Sequence, residues 1–187
     1  MQRFRERRPK PVKKTSGTIT IRSAPGNRQR AIVNVAGQTF KAAIGRSGTS
    51  ALKREGDGAT PIAAMKLMYG FWRAERLALP PTALPMQRIR GNMLWCDEPK
   101  HPAYNRLVRT PFRPSHEEMK RTDGLYDICL VLDWNITARK RHGGSAIFFH
   151  LIRPGYPPTA GCVAVSVTDM RRLLRFMRPG MVVRVLG

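Results

Sequence analysis

Three short runs near the start of the chain, Thr18 to Ile21, Ala31 to Val35 and Thr39 to Ile44, are rich in β-branched residues, and Pro25-Gly26-Asn27 and Gly37-Gln38 separate them. Such runs between turn formers predict a meander of three strands. Ile62 to Trp72 reads as a further strand. Asp127 to Trp134 and Ser145 to Leu151 are the two most apolar runs, short, bounded by polar or Gly residues, and they predict central strands covered on both faces. Val163 to Val167 and Met181 to Leu186 add two more. The pattern turns helical in two places. Ser115 with Glu118 three residues later forms a capping box, predicting a short helix that ends near Asp123-Gly124. Ser166 to Asp169 offers a second cap, and Met170, Leu173, Leu174 and Met177 fall on one face of a helix over Asp169 to Met177, stopped by Pro179-Gly180.

Between these elements the chain is rich in breakers. Lys53 to Pro61 is a Gly-rich loop, but no helical pattern follows it and no Lys-Ser/Thr stands where a phosphate loop needs one. Ala78 to Pro85 holds three prolines and is loop. Met93 to Arg113 reads as a long loop-rich stretch, of a length that suggests a functional surface. The sum is about nine or ten strands and two helices inserted between them, a mainly β, α+β domain. Residues 1–16 are charged, broken by two prolines and predicted to be a flexible basic arm, leaving residues 17–187 as one domain.

Composition sharpens the choice of partner. With 34 Lys and Arg against 12 Asp and Glu, the chain of 187 residues carries a formal net charge of +22, so an acidic partner is expected. No run approaches the roughly 18 apolar residues of a spanning helix, and the first 30 residues contain no apolar core of a secretory signal. The count of three cysteines is odd, so at least one is unpaired within the chain or bonded to another molecule.

The most suggestive pair is His150, at the end of an apolar strand, and Cys162, which opens the next strand after Gly161. A linker with three prolines joins them and can return the chain so that imidazole and thiol meet. A thiol is only a few per cent ionised at neutral pH, so nucleophilic work calls for a neighbouring base, which His150 supplies. Gly161 permits close backbone approach, and the amides of the 160–162 turn can face an oxyanion. The plainer reading makes Cys162 a small buried hydrophobe and His150 a satisfied strand-end residue.

Ser145-Ala-Ile-Phe-Phe-His150 and Thr159-Ala-Gly-Cys-Val-Ala164 resemble the catalytic region of the YkuD-type L,D-transpeptidases, in particular a branch whose loop reads Glu-Gly-Asp-Gly-x-Thr-Pro, here Glu55 to Pro61. Trp95-Cys-Asp97, Tyr104-Asn-Arg106 and Leu125-Tyr-Asp127 extend the resemblance over residues 18–187. It implies a β-sandwich of mixed sheets with a few short helices, and an enzyme without metal or organic cofactor. Cys162 would attack the third residue of a peptidoglycan tetrapeptide stem, expel D-alanine, hold the stem as a thioester and pass it to an amine. His150 would be the base, oriented by a backbone carbonyl or polar neighbour, with the Gly143-Gly144-Ser145 stretch or Asp127 as candidates. The amides of Gly161 and Cys162 would serve the oxyanion. The resemblance also implies a periplasmic or cell-envelope location, to which the basic arm would tether the chain by its anionic surface.

The chain departs from the pattern at three positions, one of them Ala63, where a Gly often stands two residues after the Pro of the loop. Many members carry a second His before the Gly-Cys and an Arg two residues after the Cys, where this chain has Ala160 and Ala164. A guanidinium grips a carboxylate with two hydrogen bonds, so Arg153 or Arg46 is expected to replace that Arg, and Thr159 to shape the turn and line the substrate site. Cys129, inside Ile128-Cys-Leu-Val-Leu132, reads as packing. Cys96 with His101 lacks the second pair of a zinc site. Asp57, Asp97, Asp123 and Glu55 could bind an acceptor amine or simply form turns, and Trp72, Trp95 and Trp134 could stack on sugars or pack in the core. An L,D-carboxypeptidase or cysteine amidase on the same stems, and a basic nucleic-acid-binding module on an inactive version of the fold, are the alternatives.

Overall fold

The computed structural model describes residues 17–187; the basic arm expected over 1–16 lies outside the described residues. In chain order the elements are β1 (Ile19–Ala24), β2 (Asn27–Val35), β3 (Gln38–Ala43), β4 (Thr49–Ser50), β5 (Thr60–Pro61), β6 (Ala64–Trp72), β7 (Met86–Arg88) and β8 (Met93–Cys96). They continue with β9 (Arg106–Arg109), β10 (His116–Glu118), β11 (Ile128–Leu132), β12 (Phe148–Leu151), β13 (Val163–Val165), α1 (Val167–Leu173) and β14 (Val182–Val185). The predicted meander is β1 to β3. Its second turn is a two-residue hairpin in which Ala36 and Gly37 both take positive φ, 49° and 75°, the backbone that matches the twist of the flanking strands.

Nine strands form one mixed sheet in the order β11-β12-β13-β3-β2-β1-β14-β6-β7, and β11 also pairs with β6, so the sheet closes on itself. A smaller sheet, β10-β8-β9, shares no ladder with it but packs against it, and β4 and β5 form a two-stranded pair. Because side chains alternate across a strand, the central strands divide their residues between two cores. Ile128, Leu130 and Leu132 of β11, Phe149 of β12 and Val163 and Val165 of β13 join Ile19, Ile21, Val33 and Leu67 in the main core, together with Met170 and Leu173 of α1. Cys129, Val131, Phe148 and Cys162 take the opposite face, where they meet Met93, Trp95 and Met119 from the small sheet and its surroundings. Full burial on both faces explains why β11 and β12 read as uninterrupted apolar runs.

The mainly β architecture of mixed sheets agrees with the sequence reading, with three corrections. Among the described residues there is one α-helix, not two. The stretch from Ser115 is a strand: His116, Glu117 and Glu118 pair antiparallel with Cys96, Trp95 and Leu94. Ladder hydrogen bonds and the burial of Met119 outweigh the local capping box, which is worth only about 1 kcal/mol. The supposed loop Met93 to Arg113 contains the other two strands of that sheet. The remaining helix starts two residues earlier than expected, capped by Ser166, whose hydroxyl accepts the Asp169 N–H at 3.1 Å. The four predicted apolar residues Met170, Leu173, Leu174 and Met177 are all buried.

Candidate functional site

Strand parity brings His150 and Cys162 together. In the parallel β12–β13 ladder Phe149 lies opposite Val163 and His150 opposite Ala164. Cys162 precedes Ala164 by two residues and therefore shares a sheet face with His150. On the other side of β12, Cys129 is the register partner of His150. A cavity of about 280 Å³ opens beside the pair, with Glu117, Arg121, Tyr126, Arg153 and Thr159 among its walls.

Both groups are buried, with 5% of His150 and 8% of Cys162 exposed. His150 Nδ1 lies 2.7 Å from the Leu151 carbonyl, so this nitrogen is assigned the proton and Nε2 is the basic atom. Tyr126 packs edge-on against the imidazole, with ring centroids 5.3 Å apart. Desolvation lowers the imidazole to a pKa of about 4, so it stays neutral at neutral pH. The Cys162 thiol donates to the Ala146 carbonyl at 3.1 Å and accepts the Phe148 N–H at 3.3 Å. Burial, and then the Glu117 carboxylate, push it up to about 12. The resting pair is a neutral thiol and a neutral imidazole, and the thiol points its proton at the Ala146 carbonyl.

The turn before Cys162 is held on two sides. The Thr159 N–H donates to the Ile44 carbonyl at 2.9 Å and the Thr159 carbonyl accepts the Arg46 N–H at 2.8 Å. Its hydroxyl donates to the Cys162 carbonyl at 2.6 Å and accepts the Gly161 N–H at 3.1 Å. The Gly161 amide, one of the two that the sequence suggested for an oxyanion, is thus engaged by the Thr159 hydroxyl. Gly161 has φ +143°, and a Cβ there would come within 2.9 Å of the Ala59 carbonyl. Ala59 belongs to the Glu55–Pro61 loop, which braces the turn from behind. Asp57 organises that loop by accepting the Arg54 N–H at 2.7 Å, the Ala59 N–H at 2.9 Å and Lys53 Nζ at 2.5 Å. Partial burial opposes ionisation of Asp57, but these donors outweigh it and hold its carboxyl below the usual value.

The opposite wall is charged. Asp123 accepts Arg121 at 2.6 Å and Arg153 at 2.7 Å, and the two guanidinium groups, Arg121 foremost, hold its carboxyl well below the ordinary range. Arg121 also stacks over Tyr126 at 5.1 Å and lies 3.7 Å from Glu117. The Tyr126 hydroxyl donates to Glu117 at 2.7 Å. Burial pushes the Glu117 carboxyl up despite both partners.

Of the residues singled out in the sequence, Cys162, His150, Gly161, Thr159 and Arg153 come together here. Arg46 does not: its side chain runs over Gly58 into a separate groove with Arg28 and Gln29. Ser145 is buried beside the Tyr104 hydroxyl, away from the cavity. The expected orienters of His150 are engaged elsewhere, since the Gly143 carbonyl accepts Trp134 Nε1 at 3.0 Å, the Gly144 carbonyl accepts Asn135 Nδ2 at 3.0 Å and Asp127 pairs with Arg76 at 3.2 Å. The Leu151 carbonyl takes that place. Glu55 is bound by the Tyr104 hydroxyl. Among the described residues no three His, Cys, Asp or Glu side chains gather as a metal site. Glu117, Arg121 and Tyr126 were not anticipated as site residues; reading His116–Glu118 as a strand with Glu117 turned toward the apolar runs would have pointed to the first of them.

The mainly β domain thus holds a thiol and an imidazole on one sheet face, beside a cavity that Arg121 and Arg153 also line. The model of the L,D-transpeptidase catalytic domain family YkuD matches residues 20–185, and the chain belongs to that family. Among solved structures, the chain is similar to Mycobacterium tuberculosis L,D-transpeptidase 1, at 12% identity and a TM-score of 0.41. The match covers 91% of this chain and 60% of that one. No curated protein matches the chain.

Proposed function

We propose that the domain is an L,D-transpeptidase that cross-links peptidoglycan stems in the cell envelope through a thioester on Cys162. The observation that carries this reading is the placement of Cys162 and His150 on one sheet face at one cavity, with Nδ1 of His150 held by the Leu151 carbonyl. Rotation of the thiol from the Ala146 carbonyl toward His150 precedes attack. The sulfur then adds to the carbonyl carbon of the third stem residue while His150 Nε2 takes the thiol proton. Because the thiol is held up and the imidazole down, a stable ion pair is disfavoured, and proton transfer accompanies attack rather than preceding it.

The oxyanion of the tetrahedral intermediate accepts the Cys162 N–H. Collapse breaks the peptide bond, His150 returns its proton to the departing D-alanine nitrogen, and the stem remains as a thioester. An acceptor amine adds to the thioester carbonyl, loses its proton to His150, and the new amide forms as the thiol is restored. Water in place of the amine gives the carboxypeptidase product. Arg153, which is exposed, and Arg121 beside it provide guanidinium donors for a stem carboxylate, in place of the Arg absent at Ala164. Thr159 acts by holding the turn.

The test is release of D-alanine from a peptidoglycan tetrapeptide, with product analysis for the cross-linked dimer. The reading expects both products from the wild type and neither from Cys162→Ala. Undiminished release by Cys162→Ala, with the variant folded, would overturn it.

A further inference from the structure

A groove of about 720 Å³ runs between residues 51–54 and residues 134–143. Its two walls are joined by a hydrogen bond from the Glu55 N–H to the His142 carbonyl at 2.9 Å. The second wall is prebuilt: Asn135 accepts the Lys140 N–H at 2.7 Å and donates to the Lys140 and Gly144 carbonyls at 2.9 and 3.0 Å. Arg54, Lys140 and Arg141 are exposed on the rim. Their charged ends make no ion pair with a described residue, while the two carboxylates of the adjoining loop are committed, Asp57 to Lys53 and Glu55 to Tyr104. The lining also includes Leu52, 82% exposed and the most exposed large apolar side chain described, and Trp134, fixed by its bond to the Gly143 carbonyl.

Three uncompensated cations around an apolar floor select for a ligand that carries both anionic and apolar groups. A phosphate chain or duplex DNA has no use for Leu52, and a neutral glycan has none for the cations. We infer that this groove binds a second, carboxylate-bearing stem segment of the glycopeptide polymer, with sugar or methyl groups against Leu52 and Trp134 and carboxylates on Arg54, Lys140 and Arg141. The inference rests on the peptidoglycan reading of the catalytic cavity and extends it from a single stem to the polymer. Lys53 links the two places: its ammonium ties the groove wall to Asp57, and its charge bears on Cys162. The groove therefore raises the local concentration of stems at the cavity and takes no part in the chemistry.

Co-sedimentation of the Cys162→Ala protein with insoluble peptidoglycan measures the groove without turnover. The double charge reversal Lys140→Glu/Arg141→Glu is expected to weaken binding by about tenfold, and Leu52→Ser to weaken it separately. Amidation of the stem carboxylates is expected to abolish the difference between wild type and double variant, whereas prior removal of phosphate polymers from the wall is expected to leave it intact. In the Cys162-containing protein the double variant raises KM for the polymer and leaves D-alanine release from an isolated tetrapeptide unchanged. Equal binding by wild type and double variant, binding that survives amidation but not removal of phosphate polymers, or insensitivity to Leu52→Ser would each overturn the inference. Failure of D-alanine release with polymer binding intact would instead overturn the catalytic reading alone.

Discussion

At the residue scale, the chemistry turns on a contradiction that burial creates and geometry resolves. Burying Cys162 makes its thiolate costly and burying His150 makes its imidazolium costly, so neither ionises readily in the free protein. The same burial leaves His150 a neutral base where a solvent-exposed histidine would be partly protonated. In a pH profile of D-alanine release, His150 therefore contributes its acid limb near 4; a limb that His150→Gln removes and that is centred near 6.5 would contradict this. Stability follows the same linkage. The folded state binds fewer protons at His150 than the unfolded state between about 4 and the ordinary value of 6.5, so its contribution is present above that value and is lost as pH falls through the window. Glu117, shifted up, has the opposite sign, which is why the informative quantity is the difference between wild type and His150→Gln in urea unfolding. That difference is expected to shrink from pH 7 to pH 4. Gly161→Ala combines a positive φ with a contact of 2.9 Å to a backbone oxygen, so it is expected to displace the Cys162 turn and lower release by at least about tenfold. A fully active Gly161→Ala enzyme would show that the turn has room to move.

At the scale of elements, the Glu55–Pro61 loop is a brace. Asp57→Asn takes the carboxylate from a buried ammonium, Lys53, and is expected to destabilise the domain by about 2 kcal/mol, less than a fully buried pair because Asp57 keeps some exposure. Denaturant titration checks it, and no change in midpoint would make the ion pair incidental. The strands that carry His150 and Cys162 were legible because burial on both faces writes itself as an apolar run, and the cap at Ser166 was legible because the apolar residues after it keep helical spacing. Ser115 to Glu118 misled for the converse reason. Its capping pattern is local, but its fate is decided by pairing with Leu94 to Cys96, roughly twenty residues away, and no apolar stripe followed to support a helix. The orienter of His150 was illegible too, because a backbone carbonyl has no residue identity to read. Arg121 belongs with these: what brings it to the cavity is its bond to Asp123 and its stacking on Tyr126, not its place in the sequence.

At the scale of the molecule, the closed sheet keeps one core for stability and lends its other face to the cavity. The small sheet β8 to β10 supplies the second layer, with Trp95 and Met119 packed over the face that holds Cys162. The charge of +22 costs the compact state through self-repulsion, so melting temperature is expected to rise between 10 and about 150 mM salt, as screening shortens to roughly 8 Å. A falling Tm over that range would mean that the specific pairs at Asp57 and Asp123 outweigh the general repulsion. The same excess suits an acidic partner.

The central claim is the covalent role of Cys162, and the most direct measurement is the intact mass of the protein after incubation with a peptidoglycan tetrapeptide stem. The account predicts an adduct equal to the stem without its terminal D-alanine, on wild type and absent from Cys162→Ala. The same adduct on Cys162→Ala, or folded wild-type protein that neither gains the mass nor releases D-alanine, would contradict it.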